Sequence, residues 1–147
     1  MPKASRLLEE RIERNFGAKR VRRKGYGESV PNNVLADGTG IIEAKTRRAG
    51  NQCPAYLWEH LATGEPCKRR IPSYIRGWLS QARGYVDEGK LYFVILRLKG
   101  RWGRECVIMS IAVYREYYGE VGEVPIDYFL WGDLVVLDRD QFAAWFF

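Results

Sequence analysis

Ile42-Glu43-Ala44-Lys45 alternates apolar and ionisable side chains. In an extended strand alternate residues share a face, so Glu43 and Lys45 would project together, about 6–7 Å apart, with Ile42 and Ala44 on the opposite layer. A carboxylate displayed there can hold a hard divalent cation. The neighbouring amine can orient a water or offset charge developing on a phosphate. An acid and a lysine at this spacing are equally what an edge-strand ion pair looks like, so the surrounding chain has to decide between the two readings.

A further carboxylate is available upstream. Leu8, Ile12 and Phe16 recur every four residues before Gly17, which predicts a helix from about Lys3 to Asn15. Glu9 falls at the margin of that apolar stripe, beside Phe16, whereas Glu10 points away. Positive charge brackets the Glu43 strand: Arg20, Arg22, Arg23 and Lys24 before it, Arg47 and Arg48 after it, and Lys68-Arg69-Arg70 beyond. One such run is ordinarily a solvated face. Three around one candidate metal site fit phosphates, bound for position without reading sequence. A net charge of +6 and a pI near 9.3 also favour a polyanionic partner. No base-reading helix or zinc finger is evident.

The elements that must position these residues follow from periodicity. Ala18 to Lys24 reads as a short strand. Val34-Leu35-Ala36 and Ile41 to Lys45, divided by Asp37-Gly38-Thr39-Gly40, read as a hairpin. A helical stretch is expected around Ala55 to Leu61. A clearer helix runs from about Pro72 to Glu88, with Ile75, Trp78, Leu79, Ala82 and Val86 on one face and Gln81 at its margin. Leu91 to Leu98 predicts a fully buried strand, and Glu105 to Ile111 its neighbour across the Lys99 to Arg104 turn. The order predicts a mixed α/β fold with helices packed on a central sheet. At 147 residues and 46% apolar content the chain is long enough for one core, placed at about residues 5–115, with an apolar tail over 125–147.

Other classes are less well supported. No apolar run approaches the ~20 residues that span a bilayer, and the amino terminus lacks a signal-peptide core, so a cytosolic protein is expected. Cys53, His60, Cys67 and Cys106 would supply four zinc ligands, but short Cys-x2-Cys pairs are absent. Cys106 also lies in the apolar run Cys106-Val107-Ile108-Met109. Buried thiols are therefore the favoured reading, and disulfides are not expected.

A hairpin preceded by Pro31-Asn32-Asn33, carrying Ile42-Glu43-Ala44-Lys45 and followed by basic residues, resembles the core of the PD-(D/E)xK nuclease superfamily, which has a restriction-endonuclease-like fold. The resemblance covers about Ser5 to Leu98, and Glu43-x-Lys45 is its sharp match. It implies that Glu43 binds metal with a carboxylate at position 33, and that Glu9 on the first helix is a further ligand. Gln81 resembles a glutamine of the virus-type replication-repair members. Size and element order look closest to archaeal and phage Holliday-junction resolvases. The implied activity is Mg²⁺-dependent cleavage of branched DNA, with Mn²⁺ as substitute, by a homodimer whose two sites face opposed strands. The compartment is then the cytoplasm, that of the host for a phage protein.

One departure stands in the motif. Where the family has Asp, this chain has Asn33, the alignment that leaves Val34 to Ala36 as the following apolar strand. An amide oxygen can ligate a cation but lacks the charge that concentrates Mg²⁺. An engineered change that traps substrate uncut accounts for this. A natural variant using Asp37 is the alternative, weakened because Asp37 already serves as a turn residue. Rival readings are a nuclease of the same fold acting on forks, flaps or duplex ends, a non-catalytic DNA-binding module, and a basic interaction protein using its aromatic tail. That tail, Gln141 to Phe147, loosely resembles sliding-clamp-binding peptides. Burial against the body or a dimer partner is the favoured expectation for its aromatics.

Overall fold

Leu91 to Leu98 has no charged side chain before Arg97, and this run becomes the central strand of the sheet. The computed structural model describes residues 18–20, 33–35, 40–48, 53–84, 91–98 and 104–147. Within them the strands are β1 (Ala18–Arg20), β2 (Asn33–Leu35), β3 (Gly40–Arg47), β4 (Leu91–Leu98), β5 (Cys106–Ser110), β6 (Tyr128–Trp131) and β7 (Leu134–Asp138). Their spatial order is β1-β2-β3-β4-β5-β7-β6. β3 and β4 are parallel and the other neighbours antiparallel, which makes the sheet mixed.

Alternation along the strands assigns two cores. Ile42, Ala44, Phe93, Ile95, Val107, Met109, Val135 and Leu137 line one face, covered by Tyr114 of α3 (Ile111–Tyr118) and Phe142 of α4 (Arg139–Phe146). Val94, Leu96, Leu98, Ile108 and Val136 line the other. That face is covered by Leu57, Trp58 and Leu61 of α1 (Tyr56–Thr63) and by Ile75, Trp78 and Leu79 of α2 (Ser73–Arg83). A parallel pair needs a crossover, and α1 and α2 supply it between β3 and β4.

Local chemistry sets the ends. α1 stops at Gly64, whose φ of 76° lets its N–H donate to the His60 carbonyl at 2.7 Å. Ser110 Oγ accepts from the Ala112 N–H at 3.2 Å and Asp138 Oδ2 from the Gln141 N–H at 3.1 Å, starting α3 and α4. Gly132-Asp133 closes the two-residue turn between β6 and β7, with Gly132 at φ 58°. Asp133 then takes a bidentate grip from Arg76 of α2, at 2.9 and 2.6 Å.

The mixed α/β expectation is met, as are the Leu91–Leu98 strand, its antiparallel neighbour, and helices near Ala55–Leu61 and from Ser73. Two expectations are corrected. The strand foreseen to Ile111 ends at Ser110, because the serine caps a helix there. The core does not stop near residue 115 and leave 125–147 as a tail: Phe129, Trp131, Val135, Val136 and Phe142 are fully buried, and β6, β7 and α4 belong to the same sheet and its covering layer. The helix expected over Lys3 to Asn15, and the Val86 end of the Pro72–Glu88 helix, lie outside the described residues.

Candidate active site and basic face

β3 is the strand that carries the candidate chemistry. Ile42 and Ala44 pack into the core beneath α3 and α4, which leaves Glu43, Lys45 and Arg47 on the face crossed by α1 and α2. Glu43 pairs in register with Val94 and Lys45 with Leu96, deep within the sheet. Glu43 is only 2% exposed, and the Lys45 amine stands 3.5 Å from its Oε1. At that separation the contact is electrostatic and looser than a hydrogen bond.

The other buried acids have structural tasks. Glu105 Oε2 lies 3.0 Å from Arg139 Nε, while Asp138 caps α4 and meets Arg104 Nε at 3.0 Å. Burying a carboxylate costs several kcal/mol before any partner is counted, and an apolar residue at such a position commonly serves stability as well. Glu43 instead stands beside an amine that reaches the surface, with 15% of the Lys45 side chain exposed.

Trp78 of α2 organises the cations near it. Lys45 Nζ lies 5.9 Å and the Arg47 guanidinium carbon 5.3 Å from its ring centre, and Arg47 Nη1 also donates to the Thr46 carbonyl at 2.9 Å. Tyr74, one turn earlier, packs 5.2 Å from Trp78. Arg69, on the segment between α1 and α2, stacks 4.5 Å from the Tyr56 ring, and its carbonyl accepts from Trp131 Nε1 at 2.9 Å. Arg48, Lys68, Arg69 and Arg70 are exposed, and so is Gln81, three residues beyond Trp78.

Of the residues singled out from sequence, Glu43, Lys45 and Arg47 are thus brought together on one strand face, with Gln81 on the helix above. Arg69 and Arg70 lie on the α1–α2 connection. Asn33 opens β2 opposite Ile42, the residue before Glu43. Glu9, Arg22, Arg23, Lys24 and Asp37 lie outside the described residues. Sequence reasoning missed Tyr56 and Trp78 as holders of cations, and Tyr74 as the ring packed on Trp78. The signal was present in the spacing of Tyr74 and Trp78 by one helical turn.

The cysteines do not gather. Cys53, Cys67 and Cys106 are free and buried, and among the described residues no group of three His, Cys, Asp or Glu side chains is placed to hold a metal ion. His60 instead places Nδ1 2.8 Å from the Glu65 carbonyl oxygen. Burial pushes the Cys53 thiol up to about 11, against a smaller downward pull from Arg47, and raises Cys106 further. Neither thiol has the acidity of a nucleophile. Among the described residues no helix is long and apolar enough to cross a membrane.

Comparison of the chain with family models, curated proteins and solved structures finds no match.

Proposed function

We propose that this chain is a Mg²⁺-dependent structure-specific DNA endonuclease built on a restriction-endonuclease-like core, with four-way junctions as substrate and a homodimer as the working unit. The observation that carries the reading is the burial of Glu43 beside Lys45 on β3. Its setting supports it: β3 ends an antiparallel β1-β2-β3 meander and runs parallel to β4 after a helical crossover.

One buried carboxylate on β3, Glu43, fits Mg²⁺, which is ordinarily held by one or two carboxylates with water and substrate phosphates completing the shell. Glu43 would be that ligand, joined by Glu9 and by the residue at position 33, which the ladder sets opposite Ile42, or by its neighbour at position 32. The bound cation would supply a more acidic water and charge for the leaving oxygen. Lys45 orients the nucleophile and offsets charge on the phosphate. Arg47, Arg48, Arg69 and Arg70, with Arg22, Arg23 and Lys24, neutralise the phosphates of the arms, and Gln81 contacts the strand near the scissile bond. No covalent protein intermediate is required.

The test is cleavage of a labelled four-way junction in Mg²⁺ or Mn²⁺ by the chain as written, by Asn33→Asp and by Asn32→Asp. The two asparagines are separate arms because the ladder pairs Asn33 with Ile42 rather than with Glu43. The expected result is a large gain of cleavage in Asn33→Asp, abolished by adding Glu43→Gln. Tight junction binding with no cleavage in any arm would identify a non-catalytic DNA-binding module. Equal cleavage of forks or flaps and not junctions would keep the nuclease and change its target.

A further inference from the structure

Between β3 and the α1–α2 connection the positive side chains are not simply solvated. Lys45 and Arg47 lie over Trp78, and the Arg69 guanidinium carbon lies 4.5 Å from the centre of the Tyr56 ring. Tyr74 adds a further ring on the same face of the sheet. It packs on Trp78, and like Tyr56 it sits half-buried at the rim of the core beneath α1 and α2. The result is a strip of cation–ring pairs on one face of the sheet, from the Glu43–Lys45 pair and Trp78 at β3 to the Arg69–Tyr56 pair beside Trp131 of β6 and exposed Arg70.

Phosphates of an intact duplex need only the cations of such a strip. Its rings and ring-backed guanidiniums add flat π surfaces at the same level, and flat surfaces are of use to unpaired bases, whose faces are not already stacked within a helix. Half-buried tyrosines also keep little rotamer freedom, so stacking on them loses little further entropy. We propose that this strip is a binding track for a single-stranded stretch of DNA, with bases stacked on Tyr74 and on the Arg69–Tyr56 pair, and phosphates on Arg47, Arg48 and Arg70. The inference deepens the nuclease reading and rests on it for orientation only: the substrate entering the Glu43 site would carry unpaired nucleotides beside its duplex arms.

Binding in EDTA tests the track without any hydrolysis. Fluorescence anisotropy is measured with labelled oligo(dT) and with a blunt duplex of equal length, for the chain as written and for Tyr74→Phe, Tyr74→Ala, Arg69→Lys and Arg69→Ala, each checked for folding by thermal melting. Loss of one stacked base corresponds to roughly tenfold weaker binding. The expected result is therefore about tenfold weaker oligo(dT) binding for Tyr74→Ala, near-normal binding for Tyr74→Phe, and little change on duplex for either. Arg69→Lys, which keeps charge but not the planar group, should fall toward Arg69→Ala on oligo(dT). Equal losses on oligo(dT) and duplex, or no measurable oligo(dT) binding by the parent chain, overturns the track. A variant that fails to melt cooperatively is replaced by the Arg69 pair, which lies on the surface. Stacking without junction cleavage in any variant would retain this inference and remove the nuclease, so the two fail separately.

Discussion

Arg139 and Glu105 are joined twice: the Arg139 N–H donates to the Glu105 carbonyl at 3.0 Å, and Arg139 Nε lies 3.0 Å from Glu105 Oε2, both side chains almost wholly buried. The side-chain contact is an ion pair rather than an aligned hydrogen bond. It ties the entry to β5 to the start of α4, and Arg104, which follows the same path, meets Asp138 at 3.0 Å and pairs with Asp127. Removing one member of a buried pair leaves a charge without its main partner. Glu105→Ala is therefore expected to cost about 3–5 kcal/mol in urea unfolding, and replacing both, as Glu105→Leu with Arg139→Met, to recover most of it. A single variant as stable as the parent would show that the pair carries no such weight.

At Glu43 and Lys45 the expectation divides by property. Glu43→Gln should leave junction binding within about twofold, since the basic residues that meet phosphates are untouched, while removing calorimetric Mn²⁺ binding gained by Asn33→Asp. Lys45→Ala should slow cleavage and also lower stability by about 2 kcal/mol, because the buried carboxylate loses its nearby amine. Undiminished Mn²⁺ binding in Glu43→Gln would exclude Glu43 as a ligand.

The buried thiols set a pH dependence. Cys53 is held as the neutral thiol to about 11, above its ordinary value of 9.0. A raised value means that the folded state takes up the proton more tightly than the unfolded one. The associated stability is complete below about pH 9 and is lost as the pH climbs through 11. Melting temperature should thus fall over that interval, and less steeply in Cys53→Ala. Iodoacetamide at pH 8 should label the native protein at least a hundredfold more slowly than the urea-unfolded chain, read by mass. Rapid native labelling would contradict the burial.

The final helix separates three aromatics that look alike in sequence. Phe142 is fully buried against Phe93 and Tyr118, and Phe146 stacks 4.0 Å from Tyr118, whereas Trp145 is 54% exposed. Phe142→Ala should cost about 3–5 kcal/mol and Trp145→Ser under about 0.5 kcal/mol. Deleting Trp145 to Phe147 should lower the melting temperature through loss of Phe146. Gln141 is engaged internally as well: its Oε1 accepts from the Asp127 N–H at 2.6 Å and its Nε2 donates to Asp127 Oδ2 at 3.0 Å. An unchanged melting temperature after the deletion would return the tail to the role of an exposed peptide.

Legibility from sequence followed the period of each segment. Period-two alternation at Ile42 to Lys45 fixed which residues share a face, and the continuous apolar run at Leu91 to Leu98 fixed the central strand. β6, β7 and α4 were not legible. Tyr128 to Trp131 and Leu134 to Asp138 are short, and what holds their hairpin in the sheet is the pairing of β7 with β5, which is non-local information. The Glu105–Arg139 pair was hidden for the same reason, because charged residues read as surface until a distant partner buries them. Cation holding by Tyr56 and Trp78 depends on how the crossover helices lie over β3, and the helical period of α2 gives only the face of that contact.

Parallel pairing of β3 with β4 has a consequence for the order of assembly. Glu43 meets Val94 across about fifty residues of intervening chain, whereas β6 and β7 meet across two. Closing the longer loop sacrifices more chain entropy before any contact rewards it. The carboxyl-terminal hairpin, β5 and α4 can therefore condense around β4 first, with the strand bearing Glu43 docking onto a sheet already present. During synthesis that strand leaves the ribosome early and must wait, with its apolar Ile41-Ile42 pair unsheltered, until β4 has followed it out. The segment that would carry the chemistry is consequently also the one most in need of protection from aggregation while the chain is incomplete.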